Sequence, residues 1–176
     1  DPAIAGLALN FRDVSERKVL EEQLRKLAFH DPLTLLANRS LFWNRVEHAL
    51  ALAHRSQQDV AVMFLDLDNF KNVNDSMGHD AGDRLLQAAA QRLVKSTRPS
   101  DTVARLGGDE FAILLEGIRS ETDVERIAAP ITEAFNQPLL LDGREIDSSA
   151  SIGVACSRPG ADAEQLLRNA DIAMYS

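Results

Sequence analysis

The pattern of apolar positions along the chain predicts both strands and helices. A continuous apolar run over 60–65 is typical of a central strand covered on both faces, because such strands lose the apolar–polar alternation. Two further runs flank a pair of glycines, which are common in hairpin turns because glycine accepts positive φ. The predicted strands cover 60–65, 102–106, 111–115, 138–141 and 145–155, the last two turned at Asp142-Gly143.

Helices are predicted where apolar residues recur every three or four positions between capping residues and helix breakers. We expect Pro32 to end the first helix, Asn38 or Ser40 to start the second, and Pro130 to interrupt a later one. The predicted helices cover about 16–29, 40–53, 69–77 (a short helix or turn), 80–97, 122–135 and 161–176. This order predicts an α+β fold with a mostly antiparallel central sheet covered by helices.

Composition narrows the functional classes. The 176 residues carry a formal net charge of −8, which argues against a nucleic-acid partner because a phosphate backbone is bound by basic surfaces. Cys156 is the single cysteine, so no disulfide framework is expected. We expect a cytoplasmic domain, with membrane tethering through missing upstream segments left open. We expect the sequence to be a fragment of a longer protein, because it begins abruptly at Asp1-Pro2 and stops at Tyr175-Ser176 without a helix stop signal.

Acidic residues at two strand ends are the main chemical signal. Asp66 directly follows the central apolar run, where an ionised carboxylate is costly unless it is paired or bound to a cation. If this strand lies beside the hairpin, Asp66 and Asp109 converge and Glu110 adds a third carboxylate. Such a set suits a divalent ion whose shell is completed by substrate phosphates, which indicates a nucleotide substrate. Two alternatives remain open: Asp66 caps the next turn, or the hairpin is a solvated acidic turn.

Other metal and nucleotide motifs fail on spacing. The segment from Asp66 begins like a calcium loop, but Lys71 stands where that loop needs glycine and Met77 where it needs a bidentate glutamate. Neither a P-loop nor a Rossmann glycine fingerprint is present. The four histidines are scattered without spaced metal partners and are interpreted as structural.

Several ordered motifs together resemble the GGDEF family, the diguanylate cyclases. The motifs are GGDEF at 107–111, DLDNFKNVND at 66–75, GHDAGD at 78–83, DPLTLLANR at 31–39 and SIGVA at 151–155. The resemblance covers about 31–176 and implies a domain related to polymerase palms and adenylyl cyclases, with a ferredoxin-like core. It implies that two GTP molecules are condensed into cyclic di-GMP with release of pyrophosphate.

The resemblance also assigns roles to individual residues. It implies that Asp66, the Leu67 carbonyl and Asp109 hold Mg²⁺ or Mn²⁺, and that Asp66, Asp109 and Glu110 are catalytic. Asn74 and Asp83 resemble the family's guanine-reading residues. The role suits Asp83, because a carboxylate can accept hydrogen bonds from both N1–H and N2–H of guanine, and adenine has no such pair of donors.

Two neighbours in the same motif are carried over as substrate-binding residues. Lys71 is similar to a phosphate-contacting lysine, and Phe70 stands beside it. Plainer interpretations exist for the polar members of this set. In these interpretations Asp83 is an acid that stabilises a helix N-terminus, Asn74 is a turn residue, and Lys71 is a solvated surface charge.

An R-x-x-D motif ahead of the hairpin suggests a second site. Arg98 and Asp101 resemble the family's inhibitory pair, where arginine clamps phosphate or guanine and aspartate accepts guanine N–H groups. A further arginine usually completes this site, and Arg126 is the nearest candidate. The alternative interpretation of Arg98 and Asp101 is a salt bridge at a helix end.

The DVSERK segment at 13–18 resembles the closing motif of a PAS sensor, which is followed by a signalling helix. We expect residues 1–14 to close an upstream PAS-like domain, 15–30 to form the linker helix, and 31–176 to be a GGDEF domain truncated before the family's downstream Lys and Arg. If the protein ends there, we expect its turnover to be weak. Three leucines in the helix, Leu20, Leu24 and Leu27, form a narrow apolar stripe that suits either a coiled coil with a second copy or packing on its own domain. A homodimer is expected, since each domain would bind one GTP.

The partners expected in the same chain are the upstream sensor and a possible downstream phosphodiesterase domain. An alternative function is a weak or inactive domain that binds GTP or cyclic di-GMP and regulates such a phosphodiesterase.

Overall fold

The computed structural model describes most of the chain from the end of the predicted linker helix onward. The described residues are 20, 24, 26–56, 58–141, 143–146, 149–158 and 160–175. The predicted PAS-like tail over 1–14 lies outside them. Of the predicted linker helix, residues 20, 24 and 26–29 are described and are helical.

The described part contains α1 to α5 and β1 to β6 after that helix. The helices are α1 (Arg39–Ser56), α2 (Phe70–Met77), α3 (His79–Ser96), α4 (Glu121–Phe135) and α5 (Ala163–Met174). The strands are β1 (Asp59–Leu67), β2 (Thr102–Gly107), β3 (Glu110–Ile118), β4 (Leu139–Leu141), β5 (Arg144–Ile146) and β6 (Ala150–Cys156). Asn38 caps α1 by accepting a hydrogen bond from the Leu41 N–H at 3.0 Å. Of the two residues predicted to start this helix, Asn38 is therefore the one that does so.

A four-stranded antiparallel sheet forms the centre of the fold, and it confirms the predicted class. Its strand order is β2-β3-β1-β6, so β1 is an interior strand with β3 on one side and β6 on the other. A separate two-stranded hairpin joins β4 to β5. The β1–β3 pairing is the non-local contact that brings the Asp66 motif next to the hairpin of the GGDEF motif.

Both faces of the sheet are covered, which explains the continuous apolar run in β1. Ala61, Met63 and Leu65 pack in the cluster under α3 and α4, whereas Val60 and Val62 pack in the cluster under α1 and α5. Successive side chains of a strand point to opposite faces, so a strand between two helical layers has no polar face.

Helix α5 approaches β6 closely at Gly153. A Cβ at this position would clash with the backbone of Met174 and Ala170, and backbone atoms cannot move aside as a flexible side chain can. The glycine in SIGVA therefore permits direct contact between helix and strand. Since Gly153 lies opposite Phe64 of β1, this contact brings the C-terminal end of α5 near the end of β1.

Three predicted boundaries were wrong. Helix α4 runs through Pro130 without interruption, because the proline lies on the exposed side while Val124, Ile127 and Ile131 are buried in the core. The predicted strand 145–155 is two strands, because β5 pairs with β4 whereas β6 leaves to pair with β1. Helix α5 begins at Ala163, capped by Asp162, and ends at Met174 rather than at 176.

Candidate active site

The hairpin between β2 and β3 presents the acidic pair. Gly107 and Gly108 have φ values of 148° and 52°, in the region that favours glycine, as the paired glycines predicted. The guanidinium of Arg105 donates to the Gly108 carbonyl from Nε at 3.0 Å and from Nη2 at 2.7 Å. The turn is thus fixed by a charged side chain from its own strand.

The β1–β3 register brings the two acidic motifs together. Asp66 lies directly opposite Glu110, and the Leu67 N–H donates to the Asp109 carbonyl at 3.3 Å. Residues opposite each other in an antiparallel pair project from the same face, so Asp66 and Glu110 share the face covered by α1 and α5. The predicted convergence of Asp66 with the hairpin acids is therefore present in the structure.

The electrostatics of Asp66 reflect this crowding. Burial raises the pKa of the Asp66 carboxyl, and the negative charges of Asp109, Glu110 and Asp68 raise it further. No hydrogen bond or ion pair joins the side chain of Asp66 or Asp109 to any residue that the structure describes. The capping alternative fails, because Asn69 precedes α2 and no side chain caps its first turn. Partly buried, unpaired carboxylates that repel one another are stabilised by a cation.

The donor chemistry of this cluster fits a hard divalent ion. Carboxylate and carbonyl oxygens are the ligands that magnesium and manganese prefer. Among the described residues, no three His, Cys, Asp or Glu side chains already converge to hold an ion alone. A metal here would thus be held by the Asp66 and Asp109 carboxylates with the Leu67 carbonyl, and its shell would need water or substrate oxygens.

Arg39 contacts the acidic cluster from the start of α1. Its Nη2 lies 3.5 Å from Glu110 Oε2, and its Nε donates to the Leu106 carbonyl at 3.4 Å. In the sequence, Arg39 closes the DPLTLLANR motif, which by itself indicates no role for it.

The residues predicted to bind the base lie together on α2 and α3. The Asn74 carboxamide occupies the space that a side chain at Gly82 would fill, which places it beside Asp83 on the next helix. Asp83 is exposed and Asn74 partly exposed, so both polar groups are accessible to a ligand. Of the two other predicted substrate residues, Lys71 is exposed and Phe70 packs against the core.

Arg98 and Asp101 occupy the turn between α3 and β2. Asp101 Oδ2 accepts a hydrogen bond from the Arg98 N–H at 3.0 Å, and the Asp101 N–H donates to the Arg98 carbonyl at 3.0 Å. Within the described residues the two side chains form no salt bridge, and Arg98 is exposed. Arg126, the candidate third arginine, pairs with Asp123 at 3.0 Å on α4.

Sequence reasoning missed a network that joins the hairpin to the segment before α1. Arg105 Nη1 pairs with Asp31 Oδ2 at 3.1 Å, and both side chains are largely buried. Thr34 donates to Asp31 Oδ1 from its backbone N–H at 2.8 Å and from its hydroxyl at 2.7 Å. Asp31 opens the DPLTLLANR motif and Arg105 lies just before the GGDEF motif, so both residues stand in recognisable segments. That the two side chains pair can be seen only in the folded structure.

Tyr175, just past α5, is a second feature missed at the sequence level. A small degree of burial and the nearby carboxylates of Asp66 and Glu110 raise the pKa of its hydroxyl, although the side chain is largely exposed. The close packing of α5 at Gly153 accounts for this placement.

Comparison with known proteins identifies the family. The sequence model described as "Diguanylate cyclase, GGDEF domain" matches residues 28–176, which is most of the chain. The chain belongs to the GGDEF family. This GGDEF domain is 45% identical over 150 residues to diguanylate cyclase TpbB of Pseudomonas aeruginosa, covering 84% of the chain and 34% of that relative. It is 44% identical over 154 residues to the bifunctional diguanylate cyclase/cyclic di-GMP phosphodiesterase MucR of the same species, covering 87% and 22%.

Solved structures of relatives share the fold. The GGDEF domain of TpbB from Pseudomonas aeruginosa superposes with a TM-score of 0.79 at 45% identity, covering 83% of this chain and 86% of that one. The coiled coil and GGDEF domain of DgcB from Caulobacter crescentus, solved in complex with c-di-GMP, gives a TM-score of 0.83 at 29% identity, covering 93% and 87%. The chain spans about a fifth to a third of the length of the two curated relatives.

In the part of the chain that the structure describes, no helix is long and apolar enough to cross a membrane.

The Asp31–Arg105 pair predicts a pH dependence of stability. Burial alone would raise the pKa of Asp31, but hydrogen bonds from Thr34 and Arg105 outweigh it and hold that pKa below its usual value. A carboxyl whose folded pKa is depressed stabilises the fold above the unfolded pKa of about 3.9, and this contribution is lost as pH falls through the folded pKa.

Urea unfolding of Asp31→Asn at pH 7 should therefore show a loss of about 1.5–3 kcal/mol, as for hydrogen bonds to a charged group. The difference from the unaltered chain should shrink below about pH 4. The exposed Asp80→Asn serves as the matched control, and an equal loss in both variants, or a difference independent of pH, would contradict this account.

Proposed function

We propose that this GGDEF domain is a diguanylate cyclase that condenses two GTP molecules into cyclic di-GMP. In each of two transfers, the 3′-oxygen of one GTP forms a bond to the α-phosphorus of the other. The bond between that α-phosphorus and the oxygen that joins it to the β-phosphate breaks. The hydroxyl proton is lost to solvent or a base, and pyrophosphate leaves. Each turnover therefore releases two pyrophosphates, and no oxidant or reductant is needed.

The single observation that supports this proposal most is the β1–β3 register. It sets Asp66 opposite Glu110 and beside Asp109, with no described partner to neutralise the carboxylates of the two aspartates. Bound Mg²⁺ or Mn²⁺ would neutralise the triphosphate and lower the pKa of the attacking hydroxyl. Asp66, Asp109 and the Leu67 carbonyl would hold the ion, and Glu110 would stand at the reacting centre.

Substrate selection is assigned to the contact between α2 and α3. Asp83 would accept N1–H and N2–H of guanine, and Asn74, held against Gly82, would bond the same base. Lys71 is exposed at the start of α2 and would contact phosphate, while Phe70 would support the loop from the core side. With ATP, the Asp83 carboxylate would lose its paired donors, which is a costly mismatch for a polar site.

Two copies of the domain must face each other, because each supplies one GTP. The apolar stripe of the linker helix supports this dimer, since Leu20, Leu24 and Leu27 are between 57% and 71% exposed in a single chain. A stripe at this spacing buries itself by pairing with a second copy. We assign 15–30 to the linker helix, 1–14 to the end of an upstream sensor, and 31–176 to the cyclase domain.

We also propose that Arg98 and Asp101 bind the product and inhibit the enzyme. The turn that holds them fixes Asp101 through the Arg98 backbone and leaves the Arg98 guanidinium exposed for a phosphate or guanine. This turn leads directly into β2, so a ligand here would contact the strand that carries the active-site hairpin.

The direct test of the function is product formation. The full-length protein, incubated with GTP and Mg²⁺, should form cyclic di-GMP and pyrophosphate in a 1:2 ratio. Asp109→Asn should reduce the rate by at least about a hundredfold, as expected when a preorganised electrostatic group is lost. Asp80→Asn, an exposed acid away from the cluster, is the control. Absence of product from a dimer that still binds GTP or cyclic di-GMP would favour a regulatory domain instead.

The guanine assignment predicts a change in base selectivity. Asp83→Ala should lower kcat/KM for GTP roughly a hundredfold, because two hydrogen bonds to a charged acceptor are lost, and should narrow the preference for GTP over ATP. Asp80→Ala removes a neighbouring acid from the same helix start and should leave both quantities unchanged. Equal effects of the two substitutions would refute the assignment.

The proposed product site at Arg98 and Asp101 predicts that inhibition by cyclic di-GMP can be lost without loss of catalysis. Arg98→Ala should weaken cyclic di-GMP binding about 10- to 100-fold by calorimetry, in line with the loss of a charged hydrogen bond, and raise the concentration that inhibits. Lys95→Ala removes one positive charge from the nearby end of α3 and serves as the control. If Arg98→Ala binds and is inhibited like the unaltered protein, the site lies elsewhere.

A further inference from the structure

We propose that Arg39 is a positioning residue for Glu110, which it holds in its working orientation against the repulsion of the other carboxylates. This inference rests on the proposed cyclase function and adds a residue to it. Arg39 forms an ion pair with Glu110, a member of the Asp66, Asp109 and Glu110 cluster.

The geometry of the Arg39 side chain supports this role. Its guanidinium reaches two parts of the same hairpin, since Nη2 lies 3.5 Å from Glu110 Oε2 and Nε donates to the Leu106 carbonyl at 3.4 Å. The contact with Leu106 fixes the guanidinium to the end of β2 while the other arm faces the carboxylate that begins β3. A planar fork with several donors can make both contacts at once, which an ammonium group cannot do equally well.

The residue directly before Arg39 is held both by α1 and by the end of the preceding helix. Asn38 caps α1 through its Oδ1, and its Nδ2 donates to the Ala28 carbonyl at 2.8 Å. The Asn38 N–H also donates to the Phe29 carbonyl at 2.9 Å. Arg39 therefore projects from a fixed point at the junction of the linker helix and α1.

Charge explains why Glu110 needs such a partner. Asp66 lies directly opposite Glu110 in the β1–β3 pair, so the two carboxylates repel each other across the strands. Arg39 approaches Glu110 from the start of α1, beside a cleft of about 380 Å³ between α1 and α5. Attraction from that side fixes the carboxylate in one direction.

The exposure of the pair separates this role from a structural one. The Arg39 side chain is 69% exposed and the Glu110 side chain 40%, and ion pairs with that exposure contribute little to folding stability. A loss of turnover without a loss of stability is thus the outcome specific to positioning. A direct contact between Arg39 and a substrate phosphate would instead change KM.

The first test compares the full-length protein with Arg39→Ala, Arg39→Lys and the control Arg45→Ala, which removes an exposed charge from the same helix. Arg39→Ala should lower kcat about 10- to 100-fold, the usual effect of removing a residue that orients a functional group. Its KM for GTP and its urea midpoint should stay unchanged, and Arg39→Lys should recover part of the rate. A raised KM at constant kcat, or a rate like that of Arg45→Ala, would overturn the inference.

The second test asks whether Arg39 acts through Glu110. In a Glu110→Gln background, Arg39→Ala should cause no further loss of kcat, because the group it orients has lost its charge. Multiplicative losses would mean that Arg39 acts independently, which contradicts the inference.

A structural readout keeps the inference separate from the cyclase proposal. Crystal structures of the unaltered chain and of Arg39→Ala should show Glu110 in one conformer facing α1 in the former, and displaced or in several conformers in the latter. If the unaltered protein forms no cyclic di-GMP, the cyclase proposal fails while this comparison still decides the role of Arg39. An unchanged Glu110 conformer in the variant would overturn that role.

Discussion

The pairing of β1 with β3 is the constraint on which the rest of the structure depends. It joins segments more than 40 residues apart in sequence and sets Asp66 opposite Glu110 on one face of the sheet. A shift of one residue would turn every side chain of β1 to the other face, so Met63 and Leu65 would exchange layers with Val62 and the acidic cluster would separate. The two apolar layers therefore fix the position of the carboxylates, although their side chains supply no ligand to the proposed metal ion.

The polar contacts around the hairpin form a second layer of support. Arg105 ties the Gly108 carbonyl to Asp31, and Arg39 ties the Leu106 carbonyl to Glu110. Both arginines connect the acidic hairpin to the segment where the linker helix meets α1. If the proposed upstream sensor rotates that helix, these contacts would connect the rotation to the acidic hairpin.

Sequence alone predicted the fold class and most elements, because the two-sided burial of β1 and the glycine pair of the hairpin have clear local patterns. It failed where tertiary contacts override local preference: Pro130 is tolerated since α4 buries its other face, and 145–155 divides because its halves pair with different strands. The convergence of the acids at 66, 109 and 110 could be predicted, because burial and charge make them unusual in their own segments. The contacts of Asp31 and Arg39 and the position of Tyr175 could not, since each depends on residues distant in sequence.

A crystal structure of the protein with Mn²⁺ and a non-hydrolysable GTP analogue, with the metal located by its anomalous scattering, would decide whether the acidic cluster binds metal and nucleotide together. Manganese should be bound to carboxylate oxygens of both Asp66 and Asp109 and to oxygens of the triphosphate, with the guanine beside Asp83. Nucleotide bound elsewhere, or manganese that contacts neither aspartate, would contradict it.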